Sequence, residues 1–277
     1  MFENEKNIRK ILNKYHFNEI YNLAAKSSVQ ESFEKPLKTF KTTGLGVYKF
    51  LNELKKFKKI KFYQASSSEI FGSSNNYKKN ENSKFNPLSP YAESKLYGHY
   101  ITKIFRETFG MFAVSGIMFN HESPLRSEKF VTKKITKGLV NILNGSNNII
   151  ELGNINVKRD WGYSKEYVKF MWKMLQLNKP EDFIIATGKS YSIKNFIDEC
   201  TKYLNLDVVW KGKGFHKVLI NKKNNNAIIK INKKYYRKTD IKSIYGDITK
   251  AKKVLKWSPK INFKKLVKIL LDYELQN

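Results

Sequence analysis

A chain of 277 residues, 41% hydrophobic and 14% aromatic, can bury a full core as one large domain or two small ones and is too apolar to be disordered. One cysteine, Cys200, excludes an internal disulfide; no apolar run reaches membrane length, and Met1-Phe-Glu-Asn-Glu-Lys is too charged for a signal peptide, so a cytoplasmic chain without membrane contact is expected. The formal net charge of +29 predicts weak attraction to polyanions, but the lysines are spread from Lys6 to Lys268 and no zinc-ligand spacing, RNA-binding aromatic signature or helix-turn-helix occurs, so neither specific nucleic-acid binding nor a metal site is expected.

Along the chain, residues 5–15 read as an amphipathic helix with Ile8, Ile11, Leu12 and Tyr15 on one face. Glu19 to Ala25 reads as a short buried strand, and a long helix is expected from about Phe33 to Phe57. A strand near 60–66, a helix from about Pro90 to Phe109 and a strand from Phe112 to Phe119 follow. Strands alternating with helices imply right-handed crossovers and a parallel sheet. Past Asn120 the pattern predicts helices near 130–143, 164–178 and 192–204, strands near 148–152, 182–186 and 207–210, a Lys/Asn-rich loop at 221–226, and two helices after Asp247. Cys200 falls inside the 192–204 helix and reads as a small apolar residue.

The most informative stretch is Tyr91-Ala-Glu-Ser-Lys95, some two dozen residues after Ala65-Ser-Ser-Ser-Glu-Ile-Phe-Gly72. At i and i+4 of a helix, Tyr91 and Lys95 share a face. An ammonium beside a phenol favours the phenolate and brings the tyrosine towards the range of a general base. Ser67 and Glu69 lie just past a buried strand, and ligands of open α/β sheets bind outside the carboxyl ends of the strands. Taken singly, Tyr91 and Lys95 are also what a helix start and a solvated lysine look like, and Ser67 and Glu69 suit a turn and a cap.

No G-x-x-G-x-x-G or G-x-G-x-x-G occurs in this sequence, so the usual dinucleotide pyrophosphate grip is missing from it. Gly44-Leu-Gly46 lies in a helical pattern and reads as a packing feature. Gly212-Lys-Gly214 reads as a loop.

Longer segments carry a resemblance: Ile20-Tyr-Asn-Leu-Ala-Ala25, Phe62-Tyr-Gln-Ala-Ser-Ser-Ser-Glu69, Ser89-Pro-Tyr-Ala-Glu-Ser-Lys-Leu-Tyr97, Phe119-Asn-His-Glu-Ser-Pro124, Phe130-Val-Thr-Lys-Lys-Ile135, Lys158-Arg-Asp-Trp-Gly162, Pro180 to Gly188 and Gly246 to Lys252. From about Glu19 onward the chain resembles the GDP-mannose 4,6-dehydratases, extended short-chain dehydrogenase/reductases. Tyr-x-x-x-Lys marks only the superfamily; the Asn-His-Glu-Ser-Pro and Lys-Arg-Asp-Trp-Gly segments are much narrower. The resemblance implies an α/β fold, an incomplete Rossmann-like parallel sheet with a smaller C-terminal α/β substrate-binding region. Residues 1–120 would form a truncated dinucleotide-binding domain. Residues 121–277 would be mainly a sugar-nucleotide-binding region, interleaved with the last elements of the first.

By position, the resemblance implies a catalytic set of Ser67, Glu69, Tyr91 and Lys95. NADP contacts would come from Leu23, Ala24, Ala25, Lys26, Ser27, Lys95, His121 and Arg126. GDP-mannose contacts would come from Asn120, Val131, Lys134, Gly153, Arg159, Arg237 and Asp240. The implied lyase reaction gives GDP-4-dehydro-6-deoxymannose by transient hydride transfer and loss of water. Tyr91 takes the 4-hydroxyl proton, Glu69 the carbon 5 proton, and Ser67 hydrogen-bonds the reacting oxygen. Arg159 and Arg237 suit a pyrophosphate. A complete enzyme of this kind is expected to be a homo-oligomer.

Departures from the family pattern bear on the expected activity. Lys26 stands where the family has Gln or Met, Lys38 where it has Tyr, Leu125 where it has Arg, Ser67 where it has Thr, Lys238 where it has Pro, and Asp240 where it has Glu. With the Gly-rich segment missing, the chain is expected to be an impaired dehydratase. The alternative is a non-catalytic sugar-nucleotide-binding or subunit-interaction protein, with a basic nucleic-acid-associated protein ranked last.

Overall fold

The structure, a computed structural model, describes residues 4–73, 77–236 and 239–277. They form two compact units. The first takes Met1–Phe119, Tyr167–Gly188 and Tyr245–Ser258, and the second takes Asn120–Glu166, Lys189–Ile244 and Pro259–Asn277.

The first unit is built on a parallel four-stranded sheet. Its strands, in spatial order, are β1 (Glu19–Asn22), β2 (Lys61–Ala65), Ala113–Met118 and Phe183–Ile185. The inner strands are near-continuous apolar runs because helices cover both faces, the usual state of a parallel sheet. β1 differs from the buried strand expected: among the described residues it has a partner on one side only, and Glu19, Ile20 and Tyr21 are half-buried, with Asn22 alone buried.

One face carries α1 (Glu5–Lys14), capped by the Asn4 side chain, and its buried Ile8 and Leu12. Ile11 is half-buried, and Tyr15, just past the helix end, is 50% exposed, so the expected four-residue face narrows to two. The expected Phe33–Phe57 helix starts earlier and is split: α2 (Val29–Glu34), α3 (Pro36–Phe40), a π-helical turn (Lys41–Leu45) and α4 (Gly46–Leu54). Pro36 explains the first break, since it cannot donate to the preceding turn. Leu51 and Leu54 of α4 pack with Phe62 of β2, and Arg9 of α1 holds Glu53 through two hydrogen bonds of 2.7 and 2.8 Å. On the strand Phe183–Ile185, Phe170 packs edge-on against Phe183, and Trp257 packs edge-on against Phe170.

α5 (Pro90–Phe109) begins and ends where the sequence places it. Ser89 Oγ accepts from Ala92 N at 3.1 Å, Pro90 opens the first turn, and Gly110, at φ +64°, takes the left-handed position that ends the helix. Its buried residues, Tyr91, Ser94, Lys95, Gly98, Thr102 and Phe105 among them, recur at helical spacing. Gly44 is the packing feature expected: a Cβ there would sit 3.3 Å from the Ser94 carbonyl of α5 and 3.0 Å from the Phe40 ring.

The second unit has a four-stranded sheet in the order Val208–Lys211, Val218–Asn221, Ala227–Ile231, Ile150–Leu152, antiparallel except for its last pair. The sequence pattern predicts only a loop at 221–226; the structure makes that loop the tip of a hairpin spanning 218–231. Helices Val131–Leu143, Ile193–Tyr203 and Phe263–Gln276 share a core with this sheet. Tyr191 lies flat on Phe263, centroids 3.9 Å apart, and Trp161 stacks on the same ring. Ser192 and Asn195 cap the second of these helices reciprocally. Cys200 is buried in it, its thiol held well above the ordinary range by burial, consistent with an inert packing role. Gly212 and Gly214 form the expected loop, at φ +75° and +56°.

Candidate active site

Within the first unit, β2 ends at Ala65 and the chain turns sharply. Ser67 caps the single 3-10 turn Ser68–Phe71, its Oγ accepting from Glu69 N at 3.3 Å. Gly72 closes the turn at φ +57°, where a Cβ would lie 1.7 Å from the Asn86 carbonyl oxygen; only glycine fits. Ser67 is buried and Glu69 half-buried. Among the described residues no hydrogen bond or ion pair engages the Glu69 carboxylate, so it is available to a ligand.

Lys95 reaches this point from α5. Its Nζ donates to the Ala65 carbonyl at 2.7 Å and lies 5.9 Å from the Tyr91 ring centroid, so the pair shares a face as the spacing predicts. Tyr91 is 9% exposed. Burial alone lowers the Lys95 ammonium from 10.5 to about 8. The lysine therefore remains charged at neutral pH, and its positive charge weakens as pH passes about 8. Ser67, Glu69, Tyr91 and Lys95 therefore all converge on the carboxyl end of β2.

At the carboxyl end of β1, Leu23 is 54% exposed, Ala24, Ala25 and Lys26 are half-buried and Ser27 is exposed. The Lys26 amide donates to Thr43 Oγ1 at 3.0 Å. Thr43 belongs to the π-helical turn, a distortion common at functional sites. Sequence reasoning does not single out Thr43; its only trace is the Thr-Thr-Gly run inside a helical pattern.

The remaining candidates lie in the second unit. Asn120 and His121 sit on the strand Asn120–Glu122, paired with Trp161 and Gly162. The Arg126 guanidinium lies over Phe130, 3.5 Å from its centroid, with Nε 3.4 Å from Glu122. Burial raises the Glu122 carboxyl, while Arg126 and the Thr132 hydroxyl pull it back. Val131 opens its helix. Lys134 Nζ donates to the Glu151 carbonyl at 2.7 Å and lies 4.3 Å from the Tyr235 ring centroid. A Cβ on Gly153 would meet the Tyr235 carbonyl oxygen at 2.2 Å, so Lys134, Gly153 and Tyr235 are brought together. Arg159 is buried and engaged: Nη1 donates to the Ile241 and Lys158 carbonyls at 2.6 and 3.0 Å, and Nη2 to Asp240 at 2.9 Å. Two predicted substrate residues thus hold each other, which leaves Arg159 less free for phosphate than its sequence context implies. Arg237 lies outside the described residues.

Among the described residues there is no cluster of ligands fit for a metal ion, and no helix is long and apolar enough to cross a membrane.

The sequence profile of the family described as "GDP-mannose 4,6 dehydratase" matches residues 2–270. A Dictyostelium discoideum protein called GDP-mannose 4,6 dehydratase is 41% identical over 273 residues, covering 98% of this chain and 77% of that protein. The chain belongs to the GDP-mannose 4,6-dehydratase family. The human protein of that name is 40% identical over 270 residues, covering 96% of this chain and 73% of the human one. In fold, the chain is similar to the RMD of Pseudomonas aeruginosa solved with NADPH, with a TM-score of 0.81 at 18% identity over 100% of this chain and 87% of that one. That likeness speaks to the Rossmann-type fold alone. Membership of this dehydratase family agrees with the lyase reading and with the short-chain dehydrogenase/reductase signature at Tyr91 and Lys95.

Proposed function

We propose that this chain converts GDP-mannose to GDP-4-dehydro-6-deoxymannose with NADP, and that Ser67, Glu69, Tyr91 and Lys95 carry the chemistry. The observation that supports this most is a buried Tyr91–Lys95 pair tied to the last carbonyl of β2, the strand whose following turn carries the unengaged Glu69 carboxylate.

The residues present fit the nicotinamide side of NADP. Small side chains at Ala24, Ala25 and Ser27 leave room at the carboxyl end of β1, and the exposed Leu23 offers an apolar surface for a ring. Lys95, His121 and Arg126 complete the proposed set. When bound, NADP supplies the hydride acceptor for carbon 4 and the hydride donor for carbon 6.

Tyr91 takes the proton of the sugar 4-hydroxyl. Lys95, charged below about pH 8, stabilises the phenolate that does so. Once carbon 4 is a ketone, the carbon 5 hydrogen is acidic. Glu69 removes it and water leaves from carbon 6. Ser67 hydrogen-bonds the reacting oxygen. In the second unit, Lys134 offers a cation to the sugar nucleotide, and Arg159 fixes Asp240. Asn120, Val131, Gly153 and Arg237 complete the proposed substrate set.

The test is direct. The purified chain is incubated with GDP-mannose and NADP, and the nucleotide sugar is analysed by mass spectrometry for loss of one water. Tyr91→Phe should lower turnover by roughly 100-fold or more, since the base is lost. Wild-type turnover in a folded Tyr91→Phe variant overturns the assignment.

A further inference from the structure

Behind Lys95 runs a chain of buried amides. The Ala24 backbone amide donates to Asn22 Oδ1 at 3.3 Å. Asn22 Nδ2 donates to Gln64 Oε1 at 2.8 Å, the two residues standing opposite each other in the β1–β2 register. Gln64 Nε2 donates to the Ala65 carbonyl at 3.1 Å, the same oxygen that accepts from Lys95 Nζ at 2.7 Å. Asn22 is 6% exposed and Gln64 1%.

The direction of this chain is not free. A backbone N–H can only donate, so Ala24 fixes which end of the Asn22 amide is oxygen. Asn22 must then present nitrogen to Gln64, and Gln64 must present nitrogen to Ala65. We propose that Asn22 and Gln64 are positioning residues for Lys95, reading the orientation of the Ala24 backbone into the one carbonyl that holds the lysine. The proposal rests on the reading of Lys95 as partner to Tyr91. A mere sheet-stabilising pair would need only the Asn22–Gln64 bond. The second amide bond is spent on the Ala65 oxygen, where Gln64 competes with the ammonium. The α5 backbone packs close to this amide at Gly98, where a Cβ would stand 3.7 Å from Gln64 Nε2.

A carbonyl shared between two donors holds an ammonium less firmly than one it serves alone, so Gln64 favours the neutral lysine. The elements packed against α5 carry Tyr63 on β2, Glu69 on the turn after it, Glu31 on α2, Lys38 on α3, Lys41 on the π-helical turn and Tyr48, Lys49 and Glu53 on α4, with Tyr91 on α5 itself. Burial lowers the lysine and none of these charges shifts it, so a change in this hydrogen bond stands out.

The experiment is an NMR titration of the whole chain carrying lysine labelled at carbon ε, the Lys95 signal assigned by its loss in Lys95→Arg. The wild-type midpoint is expected near about 8. In Gln64→Met, which keeps the side-chain length but cannot donate, the midpoint should rise by about half a unit to one unit, the size of one neutral hydrogen bond. In Asn22→Leu, which adds no charge and removes the donor that fixes the Gln64 oxygen, the Gln64 amide is free to turn over, and the midpoint should rise as well. An unchanged midpoint in both variants overturns the proposal. Should either fail to fold, the wild type decides: the Gln64 side-chain amide protons must show nuclear Overhauser contacts to Gly98, and contacts to Asn22 instead overturn the proposal. If instead Lys95→Met leaves turnover intact while the midpoint shifts stand, the catalytic reading of Lys95 fails and the amide chain does not.

Discussion

Arg106 and Asp182, 76 residues apart in the chain, meet through two parallel hydrogen bonds of 2.8 and 2.9 Å. The arginine also donates to the Ala113 carbonyl at 2.9 Å, and Asp182 accepts from the Ser115 amide at 2.6 Å. One ion pair thus locks the last turn of α5, the strand Ala113–Met118 and the start of the strand Phe183–Ile185. The register of α5 sets where Tyr91 and Lys95 fall, so this distant pair helps to place the site.

Asp182→Asn should destabilise the chain by about 3 kcal/mol, because it leaves a largely buried guanidinium without its counter-charge. Burial raises the Asp182 carboxyl, but the Arg106 hydrogen bond and charge outweigh it and hold the group below its ordinary value. Its contribution is therefore full above about pH 4 and is lost as pH falls through the lower folded value. Urea midpoints at pH 7 and pH 3 check this: the gap between wild type and variant should be narrower at the second than at the first.

Lys95 gives a dependence of the same sign in a higher pH window, there because a cost is relieved as pH rises. Its folded value, about 8, lies below the ordinary 10.5. Below pH 8 the lysine is charged in both states, and the fold carries a desolvation cost on the order of 3 kcal/mol. Between about 8 and 10.5 the unfolded chain keeps the proton that the folded chain has lost, so stability rises with pH. Lys95→Met should abolish that rise. Parallel stability curves for the two proteins across pH 7.5–10.5 would show that Lys95 is not desolvated.

How much of this is legible in the sequence depends on how local the signal is. α5 is readable to the residue because Ser89-Pro90 and Gly110 are punctuation within a few positions of its ends. Ser67, Glu69, Tyr91 and Lys95 are readable because a strand end and an i, i+4 spacing bring them to one place. The Arg159–Asp240 contact is not, since the residues are 81 apart and Arg159 has a nearer acid in Asp160. The Asn22–Gln64 amide pair is hidden for the same reason: each residue interrupts an apolar run and looks like a local blemish until the strands are paired. The hairpin 218–231 is masked by its Lys/Asn-rich turn, and the π-helical turn at Lys41–Leu45 by an otherwise ordinary helical pattern.

Glu69 is expected to act on carbon 5 alone. In Glu69→Gln, oxidation at carbon 4 should persist while elimination falls by roughly 100- to 10,000-fold. Turnover in deuterated water separates the steps: the variant should lose deuterium incorporation at carbon 5. Incorporation at the wild-type rate assigns the proton to another base.

Gly153 offers a test in the second unit. Alanine there would place a methyl 2.2 Å from the Tyr235 carbonyl oxygen, forcing Tyr235 away from Lys134. GDP-mannose affinity measured by calorimetry should fall by on the order of tenfold, about 1.4 kcal/mol. Wild-type affinity in a folded Gly153→Ala variant removes this corner from the substrate site.

β1 pairs with β2 on one side and with no strand on the other among the described residues, whereas Ala113–Met118 is paired on both sides. Successive amides of a strand point alternately to its two neighbours, so only those of β1 that face β2 are held in a ladder. Its apolar Ile20 and Tyr21 are half-buried and no charge at either position blunts the edge, a form of edge that invites further strand pairing. Hydrogen exchange followed residue by residue should therefore show fast exchange at alternate amides of Glu19–Asn22 and slow exchange throughout Ala113–Met118. Increasing the protein concentration should slow the fast set if the edge pairs with a second copy of itself, and leave it unchanged if it does not. Equal, strong protection in both strands at every concentration would mean that the outer edge of β1 is already covered, and that the sheet extends beyond β1 on that side.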